Sequence, residues 1–324
     1  MKLSIVGTGK IVGEVLEMLR YDFAGQIEVT AIFAREHSVE RARELMKAYF
    51  PAGQVFTDYG RMLQEAEADY VYVANANHVH FPYALQAIQA GHSVIVEKPL
   101  TVTGEETEQL YRAAEARGVR CLPAFSLLYM PLFAQLAQAV ASLGTVRIVE
   151  CNYSQYSSRY DRYLQGEVTP VFDPECAGGA LMDINIYNIC FCVALFGAPV
   201  SVNYAANRGF NGIDTSGTLT LRYPTFVASL TGAKDSAGPS HGCIQGEKGY
   251  IEVQGSVSTM KSFTLHLHGQ QPKTFFSAES HRLSYEFEAF RILADSPAES
   301  RLDIPFLNRL AQDIASVVDK TKEK

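Results

Sequence analysis

Residues 3–6, 12–19, 28–34, 38–48, 70–74, 82–90 and 93–96 alternate between short apolar runs and stretches of helical spacing. Strand and helix signals alternating at these lengths predict a parallel, doubly wound sheet. A further helix over 104–116 leads into residues 120–123, after which the pattern changes, so a domain boundary is expected near residue 122. Beyond it come helices around 131–143 and then period-two segments at 146–153, 218–223, 249–253 and 262–268. Alternation without intervening helices predicts an antiparallel sheet with one covered face. The expected fold class is therefore α/β, with a parallel-sheet domain over 1–122 and an α+β domain over 123–324.

The 324 residues, 47% of them hydrophobic, suffice for two domains that each bury a core. A net charge of -7 without any block of Lys or Arg argues against nucleic acid or an anionic membrane as partner. Small molecules are the expected ligands. The chain reaches Gly7 too early to accommodate the apolar segment of a signal peptide, and no run is expected to reach the length of a membrane span. Six cysteines are scattered without a Cys-x-x-Cys pair, so reduced, mostly buried thiols and a cytoplasmic location are expected.

The first predicted strand runs into Gly7-Thr8-Gly9-Lys10-Ile11-Val12-Gly13. Glycines at a strand-to-helix turn let the backbone approach a pyrophosphate, which the amides and dipole of the following helix then hold. Valine occupies the usual third glycine position, so close helix-strand packing falls to Gly13 or to a slight shift. At the end of the second strand, where a carboxylate would accept from a ribose 2′-hydroxyl, stand Ala34 and Arg35. Removing the carboxylate relieves repulsion towards a 2′-phosphate, and a guanidinium pairs with that phosphate bidentately. NADP(H) is thus expected in preference to NAD(H), the alternative being a solvated Arg35 with Glu36 turned inward.

Glu97-Lys98-Pro99-Leu100 places a cation at the carboxyl end of the fifth apolar run, where open α/β sheets bind ligands. In the second half, Gly178-Gly179-Ala180-Leu181-Met182-Asp183 opens an otherwise apolar helix on which Asp183 and Tyr187, four apart, share a face. A buried helix does not carry Asp without a partner. A structural hydrogen bond would serve; Tyr187 and Lys98 offer a chemical alternative. Carbonyl reduction needs a proton delivered to oxygen, so a neutral Tyr187 suits a general acid and the Lys98 ammonium suits developing negative charge.

The segment from Tyr70 through Asn75, Asn77 and His80, the Glu97-Lys98-Pro99 motif and the Gly-Gly-Ala-Leu-Met-Asp stretch together resemble the Gfo/Idh/MocA oxidoreductase family, over nearly the whole chain, and especially its glucose-fructose oxidoreductase and dihydrodiol dehydrogenase branches. The resemblance implies a Rossmann domain followed by a domain on a large, mostly antiparallel sheet, through which members associate as homodimers or homotetramers. It implies that Lys98 binds substrate beside the nicotinamide, and that Asn75, Asn77, His80 and Glu97 belong to the cofactor site. It also implies that Asp183 and Tyr187 form the family's Asp-x-x-x-His pair with tyrosine in the histidine place.

Tyr129, Tyr153 and Tyr156 are candidate substrate contacts. The apolar stretch Pro123-Ala124-Phe125-Ser126-Leu127-Leu128-Tyr129-Met130 favours a dihydrodiol-like or deoxygenated substrate over a fully hydroxylated sugar, whose buried hydroxyls each need a partner. His266 and His268 alternate with apolar residues and make only two potential ligands, so no metal is expected. The leading reading is a dehydrogenase or reductase of a secondary alcohol or carbonyl; a reductase of an imine or linear tetrapyrrole and a non-catalytic nucleotide sensor are the alternatives.

Overall fold

The computed structural model describes residues 1–278 and 281–322. The chain divides into two units, Met1–Ala124 with His281–Ala311, and Phe125–Ser280 with Gln312–Lys324. This differs from a single cut at residue 122, because a C-terminal segment returns to the first unit. In that segment the helix Ser284–Asp295 sets Phe287 edge-on against Tyr72, with centroids 5.6 Å apart, while Arg282 pairs with Glu14 at 3.1 Å and Ser284 donates to Asp22 at 2.7 Å. Order along the chain does not reveal such a return.

The first unit contains β1 (Lys2–Val6), α1 (Lys10–Asp22), β2 (Glu28–Phe33), α2 (Val39–Tyr49), β3 (Gln54–Phe56), α3 (Tyr59–Glu65), β4 (Tyr70–Val73), α4 (His80–Gln89), β5 (Ser93–Glu97), α5 (Gly104–Arg117) and β6 (Cys121–Ala124). Its sheet is wholly parallel in the order β3-β2-β1-β4-β5-β6. The chain winds outward from β1 to β3, then resumes at β4 on the other side of β1. That reversal opens a crevice at the carboxyl ends of β1 and β4. β4 is buried along its whole length, as expected of a strand covered on both faces. Asp58 caps α3 by accepting from Arg61 N–H at 3.0 Å, and Thr103 caps α5 by accepting from Glu106 N–H at 3.2 Å.

The second unit contains α6 (Pro131–Val140), β7 (Val146–Ser154), α7 (Tyr160–Leu164), α8 (Ile186–Phe196), β8 (Ser201–Arg208), β9 (Asp214–Arg222), β10 (Val227–Ala233), β11 (His241–Gly246), β12 (Gly249–Gln254), β13 (Ser262–Leu267) and β14 (Lys273–Phe276). The eight strands lie in the order β14-β13-β12-β11-β7-β10-β9-β8, antiparallel except for the parallel pair β7 and β10. Val149, Cys151, Leu219, Leu221, Ala228 and Leu230 point to the covered face, on which α8 lies over β7 and β10.

Periodicity alone misses β8, β10, β11 and β14, and β10 and β11 each carry glycine where the sheet is closely approached. A Cβ at Gly232 would lie 2.7 Å from Asn185 Cβ, and one at Gly246 2.5 Å from the Leu143 carbonyl oxygen. The expectation that no run reaches membrane-span length needs correction: Pro174–Phe196 is long and apolar enough by composition, and 72% of its most apolar window is buried within the fold. All six cysteines are unbridged.

Candidate active site

In the first unit, Gly7 has φ +122°, and a Cβ there would sit 2.7 Å from the Ala74 carbonyl oxygen, so only glycine fits between the ends of β1 and β4. Gly9 caps α1 without a side-chain hydrogen bond, no acidic residue stands in the first turn, and nothing lies within 4 Å of a built Cβ. These features leave the amides of α1 and the space before them to an anionic ligand. Thr8 and Ile11 flank the turn half-buried, while the Lys10 ammonium, exposed, faces Glu14 at 3.6 Å. Gly13 requires a correction: a Cβ there would meet Leu45 at an ordinary 3.9 Å, so it is not needed for close helix-strand packing. Ala34 is buried with its N–H donated to Phe56 at 3.0 Å, and Arg35 and Glu36 are both exposed.

At the end of β4, Asn75 Oδ1 is buried without a hydrogen-bond partner. An orphaned acceptor beside a glycine cradle fits a dinucleotide whose amide can donate to it. Asn77 opens the short turn Asn77–Val79 that leads into α4.

His80 and Glu97, expected to face the cofactor, are already engaged by protein atoms. His80 is fully buried, with Nδ1 2.8 Å from the Pro99 oxygen and Nε2 3.1 Å from the Asn75 oxygen. Burial pushes its pKa down to about 4, so the ring is neutral and donates to one of these carbonyls at a time. It buttresses the loops after β4 and β5.

Glu97 accepts from the Tyr72 hydroxyl at 2.5 Å and from Lys98 N–H at 3.1 Å, which fixes the backbone from which Lys98 projects. Burial raises its carboxyl against those donors. Glu286, 1% exposed, is raised well above the ordinary range by burial and by the Glu97 charge, and its Oε2 has no hydrogen-bond partner.

In the second unit, Gly178 and Gly179 are dictated by what surrounds them. A Cβ on Gly178 would lie 2.6 Å from the Pro170 carbonyl oxygen, and one on Gly179, at φ +96°, would run into Asp214 Oδ1. Asp214 accepts from Leu181 N–H and from the Tyr204 hydroxyl, each at 2.7 Å, and so anchors the start of the following helix. That helix is not α from its first turn: Leu181–Asn185 is a π turn, and α8 begins at Ile186. Asp183 and Tyr187 nevertheless emerge together, the only half-buried residues in an otherwise buried run from 178 to 193. Asn185 donates to the Leu230 oxygen and Asn188 to the Thr231 oxygen, both at 3.0 Å, pinning the segment to β10.

Asp183 pairs with Lys234, a residue that sequence reasoning missed. The signal available was a lysine at the end of β10, a strand without any charged residue. The Tyr153 ring lies 6.2 Å from that of Tyr187, and Tyr129 is half-buried at the end of the turn Ser126–Tyr129. Tyr156 is not brought to this group: it is exposed, donates its hydroxyl to Asp161 at 2.6 Å and packs edge-on against Tyr160. His266 stacks on Tyr250 at 4.3 Å, and no cluster of three or more metal-ligating side chains occurs among the described residues.

The oxidoreductase-family model for the NAD-binding Rossmann fold matches residues 1–125, and the Gfo/Idh/MocA C-terminal domain matches residues 133–252. The chain is 37% identical over 256 residues, 78% of its length and 76% of the relative's, to the scyllo-inositol 2-dehydrogenase (NADP(+)) IolU of Bacillus subtilis. It is 25% identical to the mouse trans-1,2-dihydrobenzene-1,2-diol dehydrogenase, covering 78% of this chain and 74% of that one. Among solved structures it is similar to KijD10, a 3-ketoreductase from Actinomadura kijaniata in complex with NADP and TDP-benzene, with a TM-score of 0.84 over 99% of this chain and 97% of that one at 22% identity.

Proposed function

The chain belongs to the Gfo/Idh/MocA oxidoreductase family and is an NAD(P)-dependent dehydrogenase or reductase of CH–OH groups; from that premise we propose that it acts on a cyclic or sugar-derived diol or the matching carbonyl, with NADP(H) preferred. The observation that carries the catalytic reading is the run 178–193, buried throughout except at Asp183 and Tyr187. A helix that exposes only a carboxylate and a phenol presents them for use.

When bound, the nicotinamide supplies or takes the hydride. Tyr187 gives the proton to the carbonyl oxygen in reduction and takes it from the alcohol in oxidation, and the Lys98 ammonium stabilises negative charge on that oxygen. Asn75 and the α1 amides would hold the cofactor, and Arg35 would pair with its 2′-phosphate. Phe125, Leu127 and Met130 are packed inside the fold, which leaves the half-buried Leu128 and Tyr129 of that stretch to supply apolar wall. The two curated relatives act, by their names, on six-membered carbon rings with adjacent hydroxyls; the inositol carries a hydroxyl on every carbon, so an apolar wall alone does not exclude a hydroxylated ring. The sheet face opposite α8, with Ile148, Val227 and Tyr250 exposed, is the surface through which copies of the chain would associate.

The test is reduced-nicotinamide absorbance with NADP⁺ and NAD⁺ across inositols, aldoses and trans-dihydrodiols. Turnover of a ring diol with NADP⁺ is expected; turnover of acyclic substrates alone, or NAD⁺ used better than NADP⁺, would contradict the proposal.

A further inference from the structure

Lys234 is held more tightly than any surface lysine needs to be. Its N–H donates to the Thr215 oxygen at 2.8 Å and its carbonyl accepts from Ser157 N–H at 2.9 Å, so the backbone is fixed on both sides. Its side chain is 7% exposed, with Nζ paired to Asp183 and 5.7 Å from the centre of the Phe172 ring. Phe172 is itself stacked on Tyr163 and packed against Tyr160. An ammonium against an aromatic wall loses most of its water, which is costly unless a counter-charge is fixed beside it.

The other charged groups of this region have donors of their own. Asp235 accepts from the hydroxyls of Thr215, Ser216 and Ser236, with Tyr160 near enough to feel its charge. Asp214 accepts from Leu181 and Tyr204, and the phenol ring facing Tyr187 is that of Tyr153. Lys234 is thus a cation that answers Asp183. Asp183 stands one turn before Tyr187 on a segment locked to β10 by Asn185 and Asn188.

We propose that Lys234 is a positioning residue of the reaction: it holds Asp183 as an ion-paired carboxylate, so that Tyr187 exchanges its proton beside a neutral pair and not beside a bare negative charge. The inference rests on the reading of Tyr187 as proton donor and acceptor. A bare carboxylate one turn away opposes formation of phenolate, and an adjacent ammonium cancels that opposition. Lys234→Met should thus hinder the direction in which Tyr187 accepts a proton, while Asp183→Asn, leaving the ammonium alone, should ease it.

The experiment compares wild type, Lys234→Met, Lys234→Arg, Asp183→Asn and the double variant Lys234→Met/Asp183→Asn in the pH dependence of kcat for alcohol oxidation. In parallel, the ring resonance of Tyr187, assigned by its absence in Tyr187→Phe, is titrated by NMR. In Lys234→Met the acid limb of the rate profile and the Tyr187 midpoint should both move up by about one unit, a tenfold loss of rate at a fixed lower pH. Both should move down in Asp183→Asn, return towards wild type in the double variant, and stay near wild type in Lys234→Arg.

A Tyr187 midpoint that stays put in both single variants, or a double variant no closer to wild type than Lys234→Met, would overturn the inference. Should Lys234→Met not fold, the downward shift in Asp183→Asn decides the matter alone. A midpoint that moves as described without turnover of any substrate would overturn the reading of the reaction and leave the pair standing.

Discussion

The Tyr72 hydroxyl donates to Glu97 at 2.5 Å in the interior of the first unit, and the charge of that carboxylate, with burial, disfavours ionisation of Glu286. Two carboxylates sharing a buried space cannot both be charged without large cost, so this cluster retains a proton that either acid would release in water. Its counter-charges are Arg282 and Lys98, each of which lowers the proton affinity of Glu97.

That retained proton makes stability depend on pH. A carboxyl whose pKa is raised on folding contributes most below its unfolded value of about 4.3, and the contribution is lost as pH rises towards the folded value. Glu286→Gln keeps the shape and removes the titration. Measured by urea unfolding between pH 5 and pH 9, the variant should gain on wild type as pH rises, by about 1.4 kcal/mol per pH unit until the folded-state value of Glu286 is passed. A constant difference across that range would contradict the account.

Two glycines should fail in opposite ways. Gly9→Ala meets no protein atom, so its melting temperature should match wild type while NADPH affinity falls at least about tenfold, the methyl standing where the pyrophosphate approaches. Gly179→Ala meets Asp214 at a left-handed φ and should lose at least about 2 kcal/mol of stability. Thermal melts and NADPH fluorescence titrations on the two variants separate the effects.

Arg35→Ala should weaken NADPH binding about tenfold or more, the loss of one charge-assisted pair, and leave NADH binding unchanged. Fluorescence titration with both cofactors reads this directly. Equal loss for both would place Arg35 on the shared part of the dinucleotide.

Strands β1, β2, β4 and β5 and the glycine turn were legible because each of those strands is a short apolar run and the turn residues follow at fixed spacing, whereas the three-residue β3, Gln54–Phe56, was missed. The position of Lys98 after β5 was legible for the same reason. Four of the eight strands of the large sheet were not: in β10 and β11, where Gly232 and Gly246 make room for Asn185 and Leu143, small residues erase the period-two signal, and β8 and the four-residue β14 were missed as well. Four-residue spacing on a regular helix does not represent the π turn before α8, within and after which Asp183 and Tyr187 are both half-buried in an otherwise buried run. Lys234 and Glu286 lie 51 and 189 residues from Asp183 and Glu97, the groups they face or feel (234 less 183, and 286 less 97), and no local pattern links them. His80 and Glu97 matched a motif, yet their polar atoms are taken by backbone and by Tyr72.

The most direct test of the central claim is the rate of NADP⁺ reduction with a cyclic diol, followed at the reduced-nicotinamide band, in wild type, Lys98→Met and Tyr187→Phe, with NADPH binding to each measured by fluorescence. The account predicts turnover in wild type, a loss of about a hundredfold or more in both variants, and NADPH affinity within about twofold of wild type for Tyr187→Phe. Turnover by Tyr187→Phe at the wild-type rate would contradict it.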